Sequence, residues 1–86
     1  MSINIYKDEY DQLTCLCEGE WELPAQIDEL ENWLSTNGSK LPKGSYVANV
    51  GFRVREGATG GGAVVSLKLM EMMIAIGMAL NLSEDD

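Results

Sequence analysis

The sequence predicts an α+β fold: a small antiparallel sheet of four or five short strands, packed on one face by two helices, in the order β-β-α-β-β-α-β. Three observations carry this expectation. From Tyr46 to Arg55 the chain alternates strictly, with Tyr46, Ala48, Val50, Phe52 and Val54 on one side and Val47, Asn49, Gly51, Arg53 and Arg55 on the other, the period-two pattern of a half-buried strand. Ile27, Leu30, Trp33 and Leu34 recur at helical spacing. Leu67 to Ile76 is almost wholly apolar and lies between Ser66, a good helix N-cap, and Gly77, a good stop.

Taken in order, Ile3-Asn4-Ile5-Tyr6 reads as a short strand and Lys7-Asp8-Glu9 as a turn. Gln12 to Glu18 reads as a second strand, with Leu13, Cys15 and Cys17 on one side and Thr14, Leu16 and Glu18 on the other, so that the two form a hairpin. A helix over Lys7 to Leu16 is the competing reading. The alternation continues through Glu18-Gly19-Glu20-Trp21-Glu22, which sets three glutamates on one face and Trp21 on the other. Pro24 suits the first turn of a helix, where its missing N–H costs nothing, and acids in the first half of that helix suit its dipole. Asn37-Gly38 is a stop signal, and Ser39 to Lys43 a basic linker into the alternating strand. Glu56 to Gly62 then reads as a flexible hairpin turn, and Ala63-Val64-Val65 as a short returning strand. Met78, Leu80 and Leu82 alternate with Ala79, Asn81 and Ser83 as a last strand, before the tail Glu84-Asp85-Asp86.

Eighty-six residues, 45% hydrophobic, make one domain over residues 1–86 with a small core and a stability of a few kcal/mol, for which homodimerisation is a natural supplement. Ser2 to Tyr6 lacks the basic start and apolar run of a secretory leader, and Leu67 to Ile76 is too short to span a membrane. Cys15 and Cys17 stand two apart, a poor geometry for pairing with each other, so a reduced cytoplasmic setting and burial in the core are expected; as zinc ligands they would need two more thiolates from a second copy. With no histidine, the usual general base and the commonest metal ligand are missing, and no enzyme activity, cofactor or metal site is expected. The glycine run before Ser66 lacks the lysine of a phosphate-binding loop, and no acids are spaced as in a calcium-binding loop. Arg53 and Arg55 are too few, in so acidic a chain, to be a nucleic-acid footprint.

Charge is the strongest global signal. The net charge is −8, and it is unevenly placed: residues 1–31 hold nine acids against Lys7, while the five acids after them balance five bases. In size, acidity and lack of catalytic residues the chain resembles small phage-encoded inhibitors of bacterial defence, the anti-CRISPR proteins, and immunity proteins that neutralise nuclease toxins. From Ile27 to Leu82 its order of helix, linker, alternating strand, glycine turn and the ending Val65-Ser66-Leu67 to Gly77-Met78-Ala79-Leu80-Asn81-Leu82 is also similar to uncharacterised bacterial domains found near toxin loci. The resemblance implies an inhibitor that imitates the field of a nucleic-acid backbone and covers a basic surface on a nuclease, toxin or CRISPR-type complex. The partner-binding residues expected are Glu18, Glu20, Trp21, Glu22, Asp28, Glu29 and Glu31, an aromatic amid acids being a common anchor. The alternative is a structural or assembly protein that self-associates through its methionine-rich helix, with Met70 and Met73 as contacts.

Overall fold

Tyr46, Ala48 and Val50, the apolar side of the alternating stretch, are fully buried and form the middle of a four-stranded sheet. The computed structural model describes residues 3–8, 11–16, 19, 22–53 and 63–85. The elements are β1 (Ile3–Lys7), β2 (Asp11–Leu16), α1 (Leu23–Asn37), a 3-10 turn (Gly38–Lys40), β3 (Tyr46–Arg53), α2 (Leu67–Ile76) and β4 (Met78–Asp85). The class is α+β, as expected. The order is β-β-α-β-α-β, and the sheet, ordered β2-β1-β3-β4, is mixed rather than antiparallel: β1 runs antiparallel to β2 and β3, whereas β4 runs parallel to β3 from Tyr46↔Met78 to Arg53↔Asp85.

That parallel pair corrects the expected second hairpin. Ala63, Val64 and Val65 form no strand; they lead directly into α2, with Val64 exposed. The place beside β3 belongs to β4, reached by a crossover through α2, which a parallel connection requires. Alternation marks a strand but not its direction or its neighbour, so three apolar residues before a helix imitate a strand they do not form. The expected turn at Glu56 to Gly62 lies outside the described residues, as do Val54 and Arg55.

Both helices cover one face of the sheet. Ile27, Leu30 and Leu34 of α1 and Leu69, Met73 and Ile76 of α2 join Ile3, Ile5, Tyr46, Ala48, Val50 and Met78 in one buried cluster. Burying each of the large aliphatic side chains among them stabilises the fold by about 1.5–3 kcal/mol. The Tyr46 hydroxyl donates to the Pro42 carbonyl at 2.6 Å, and the Gln26 amide, buried under α1, donates to the Gly51 carbonyl at 2.7 Å, so α1 is fastened to β3 by a polar contact as well as by packing.

The caps of α2 agree with the sequence. Ser66 Oγ accepts from the Leu69 N–H at 3.0 Å, and Gly77, left-handed at φ 81°, donates to the Ile74 and Met73 carbonyls. Pro24 sits in the first turn of α1, as expected. The stop after α1 differs: Gly38 stays right-handed and leads into the 3-10 turn, while Asn37 Nδ2 donates back to the Trp33 carbonyl at 3.0 Å, so the side chain rather than a left-handed glycine satisfies the helix end.

The hairpin of β1 and β2 holds a correction of face. Ile5 pairs with Thr14 but Tyr6 pairs with Gln12, which leaves Leu13 as a bulge. Leu16, opposite Ile3, packs against the core; Cys15, opposite Asn4, faces away from it and is an exposed free thiol, not a core residue. Alternation put Cys15 and Leu16 on different sides without saying which side is inward, and Leu16 is the more apolar of the two.

Gly77 and Gly19 both have φ near 90°, but a Cβ at Gly77 would lie 2.2 Å from the Gly44 carbonyl oxygen whereas one at Gly19 would meet nothing within 4 Å. Alanine at Gly19 is therefore expected to cost about 1 kcal/mol of conformational strain, and alanine at Gly77 about 3 kcal/mol or more, strain plus a clash with backbone. Urea unfolding of the two variants checks this; equal losses would mean that the approach to Gly44 does not constrain the junction.

Candidate functional site

Among the described residues three surfaces present side chains to solvent, and α1 forms the first. Its inward side is spent on Gln26, Ile27, Leu30 and Leu34, which leaves Asp28, Glu29 and Asn32 exposed on the outside of a helix that has no basic residue. Glu22, at its N-cap, is exposed and does not cap the helix with its side chain. Glu31 departs from the expected role. It is half-buried, and its carboxylate accepts from Ser66 Oγ, so it joins α1 to the start of α2 rather than standing open to a partner. Glu18, Glu20 and Trp21 lie outside the described residues. Trp33, read from its spacing as a core residue, is only half-buried; it packs at the margin of the core and stands one helical turn after Glu29.

The second surface is the flank of α2. Leu67 is 76% exposed and Ile74 73% exposed, with Met70 exposed between them, an apolar stripe at helical spacing. Met73, expected beside Met70 as an oligomer contact, is instead buried in the core with Leu69 and Ile76. One helical turn separates residues three or four apart, so Met70 and Met73 were equally good contacts by composition, and packing divides them.

The third surface is the sheet face opposite the helices. Asn4, Asn49 and Asn81 stand in one row across β1, β3 and β4. Asn81 Nδ2 donates to Asn49 Oδ1 at 2.8 Å, and Gln12 Nε2 donates to Asn4 Oδ1 at 3.0 Å. Beside this row, Tyr6, Asp8, Ser45, Val47 and Asn49 line a broad concavity of about 570 Å³. Asp8 adopts φ 58° there, and its N–H donates to the Ser45 carbonyl at 2.6 Å, which ties the hairpin turn to the start of β3. The lining offers hydroxyls and amides with a single carboxylate, a hydrogen-bonding surface rather than a charged one. The sequence shows an asparagine at an outward position of β1, β3 and β4, but only the register reveals that the three are neighbours.

Among the described residues no three His, Cys, Asp or Glu side chains converge as a metal site, and no helix is long and apolar enough to cross a membrane. No protein-family model, curated protein or solved structure matches the chain.

The exposed thiol gives a direct check on the β2 register. With Cys17 replaced by serine, Cys15 is expected to react fully with a maleimide in native buffer, as an accessible thiol does. Labelling that needs denaturant would place Cys15 inside and reverse the face assignment. Ser66 bridges both helices, so Ser66→Ala is expected to lower stability by about 1–2 kcal/mol through the lost cap and the lost partner of Glu31, as read by chemical unfolding; no loss would mean that neither contact persists in solution.

Proposed function

We propose that this chain is a non-enzymatic binding protein whose acidic side occupies a basic surface on a nucleic-acid-handling protein, a nuclease, toxin or CRISPR-type complex, and blocks it. The observation that carries the reading is the division of labour in α1. One side of the helix is committed to the core, and the other presents Asp28 and Glu29 to solvent with no base on the helix to neutralise them. Glu22 extends the acidic surface at the N-terminal end, and Glu18 and Glu20 precede it in the chain. Trp33, one helical turn after Glu29, together with Trp21, would supply the apolar anchor that charge alone lacks.

Such a surface acts through its field. Carboxylates on a rigid helix attract a basic groove from a distance of about one Debye length, roughly 8–10 Å at physiological salt, and raise the association rate. The same field repels nucleic acid, so the chain would compete with a nucleic acid for the groove rather than bind one. Exposed ion pairs are worth only about 0.2–1 kcal/mol each, so the acids give speed and selectivity, and the aromatic contacts give residence time.

The test uses the folded chain as bait in bacterial lysate at low and high salt, beside a Glu22→Gln, Asp28→Asn, Glu29→Gln triple variant with unchanged circular dichroism. The expected result is a basic nucleic-acid-handling protein captured by the native chain, displaced by added duplex DNA, and held about tenfold more weakly by the triple variant, with a shallower salt dependence. Identical capture by both baits, or capture indifferent to salt, would reject the acidic-surface reading.

A further inference from the structure

We propose that β4 and the adjoining flank of α2 form the interface of a symmetric homodimer, in which two β4 strands pair antiparallel about Asn81 and join two four-stranded sheets into one of eight strands.

The argument begins with the edge. Among the described residues β4 is paired with β3 on one side only, and no other strand lies along its second side. Sheet edges are usually protected by charged side chains, a proline, a bulge or a very short strand. β2, the opposite edge, is bulged at Leu13, whereas β4 runs for eight residues, Met78 to Asp85, in unbroken register against β3, with no proline and with its charges confined to Glu84 and Asp85 at the end. An open edge of this length is a template for another strand.

The apolar surface left uncovered lies on the same side. On the helix face of β4, Met78 is buried and Leu80 half-buried, but Leu82 is 47% exposed, so α2 stops short of covering the edge strand. Around α2, Leu69, Met73 and Ile76 point into the core, and Met72, whose sulfur accepts from Ser35 Oγ at 3.8 Å, points towards α1. At about 100° per residue, Met70 then falls on the flank turned away from α1, Ile74 between that flank and the outer side of the helix, and Leu67 on the outer side beside the exposed Glu71. With the strands ordered β2-β1-β3-β4, that flank looks out over β4. Three exposed large apolar residues, Met70, Ile74 and Leu82, thus lie towards this strand edge.

One two-fold axis satisfies both features. For the helices of both copies to lie on the same face of a continuous sheet, directly opposed residues must share a face, so their numbers sum to an even value. Pairing Asn81 with its own symmetry mate sets Leu80 opposite Leu82 of the second copy and extends the asparagine row across the junction. Neighbouring strands are about 4.8 Å apart, so two α2 helices, each lying over its own β3–β4 pair, stand roughly 10 Å apart, the spacing at which helices pack. A peptide strand added to β4 would satisfy the edge and leave the α2 flank in water. A second copy covers both.

Charge selects the same occupant. The excess of −8 arises wholly within residues 1–31, which build β1, β2 and most of α1, towards the far edge of the sheet. In the proposed register Glu84 faces Met78, and the two Glu84 residues stand about 20 Å apart at 3.4 Å per residue, beyond the Debye length. Residues 32–86, which build β3, α2 and β4, balance five acids with five bases, so a copy of the chain meets less repulsion at this flank than at the acidic edge. The dimer does not rest on the acidic-surface reading, since none of its residues belongs to that surface.

The test is sedimentation velocity over a wide concentration series, with single-cysteine cross-linking in a Cys15→Ser, Cys17→Ser background. The chain is expected to sediment as a dimer in reversible exchange with monomer. Ile74→Glu, at an exposed position that should not disturb folding, is expected to weaken the dimer about a hundredfold, because the axis brings the charge to the interface twice. Asn81→Cys is expected to form a disulfide across the axis, since directly opposed residues lie about 4.5–5.5 Å apart at Cα, while Ser83→Cys does not. A monomer at every concentration overturns the proposal. So does a dimer that Ile74→Glu leaves intact, or one that Ser83→Cys cross-links and Asn81→Cys does not. Failure here with salt-sensitive capture of a basic partner intact would leave the proposed function standing, and the converse result would leave the dimer.

Discussion

The architecture depends on a one-residue junction between α2 and β4. Gly77 must end a helix, reverse the chain and begin a strand, and it does so pressed against the Gly44 carbonyl, with no room for a side chain. Two backbone bonds fix it there: Gly44 N–H to the Ile76 carbonyl at 2.9 Å, and Tyr46 N–H to the Gly77 carbonyl at 3.1 Å. These bonds bring the end of α2 to the start of β3, so Met78 enters the sheet opposite Tyr46 and β4 can only run parallel to its neighbour. The direction of β4, the crossover by α2 and the mixed sheet follow from this contact.

What was legible in the sequence is what is decided locally. The strand at Tyr46, the helix with Ser66 and Gly77 at its ends, and the helix opened by Pro24 all rest on residues within a few positions of one another, and each is present. What was not legible depends on partners far along the chain. The Gly77–Gly44 approach spans more than thirty residues, and nothing in the alternation of Met78, Leu80 and Leu82 names Val50 as the partner of Leu82. The bulge at Leu13 has the same character. It shifts the register by one residue within a strand that reads as regular, and register decides that Leu16 and not Cys15 is turned to the core.

The acidic residues show how burial sorts a composition signal. Seven positions were expected on a partner-binding face because charge and an aromatic lie close in sequence. A helix, however, disperses its acids around its axis: Asp28 and Glu29 are left in water, while Glu31 is turned towards α2, where Ser66 engages it. The Ser66 hydroxyl both donates to that carboxylate and accepts from the Leu69 N–H, so the cap of one helix is oriented by an acid of the other. A charge counted as surface thereby becomes part of the joint between the helices, and Asp28 and Glu29 are the acids that α1 leaves on its outer side.

The same sorting gives the molecule two unlike ends. The edge of the sheet at β2 is bulged and lies on the side where the acids accumulate, features that discourage pairing with another chain. The edge at β4 is regular, nearly free of charge until its last residues, and flanked by apolar side chains of α2. Association through one end leaves the other exposed, because the two are separated by the width of the sheet, about 15 Å for four strands. A dimer built at β4 would carry its two acidic helices outward on opposite sides, and the field that repels a second copy from α1 would hold the pairing to the β4 edge.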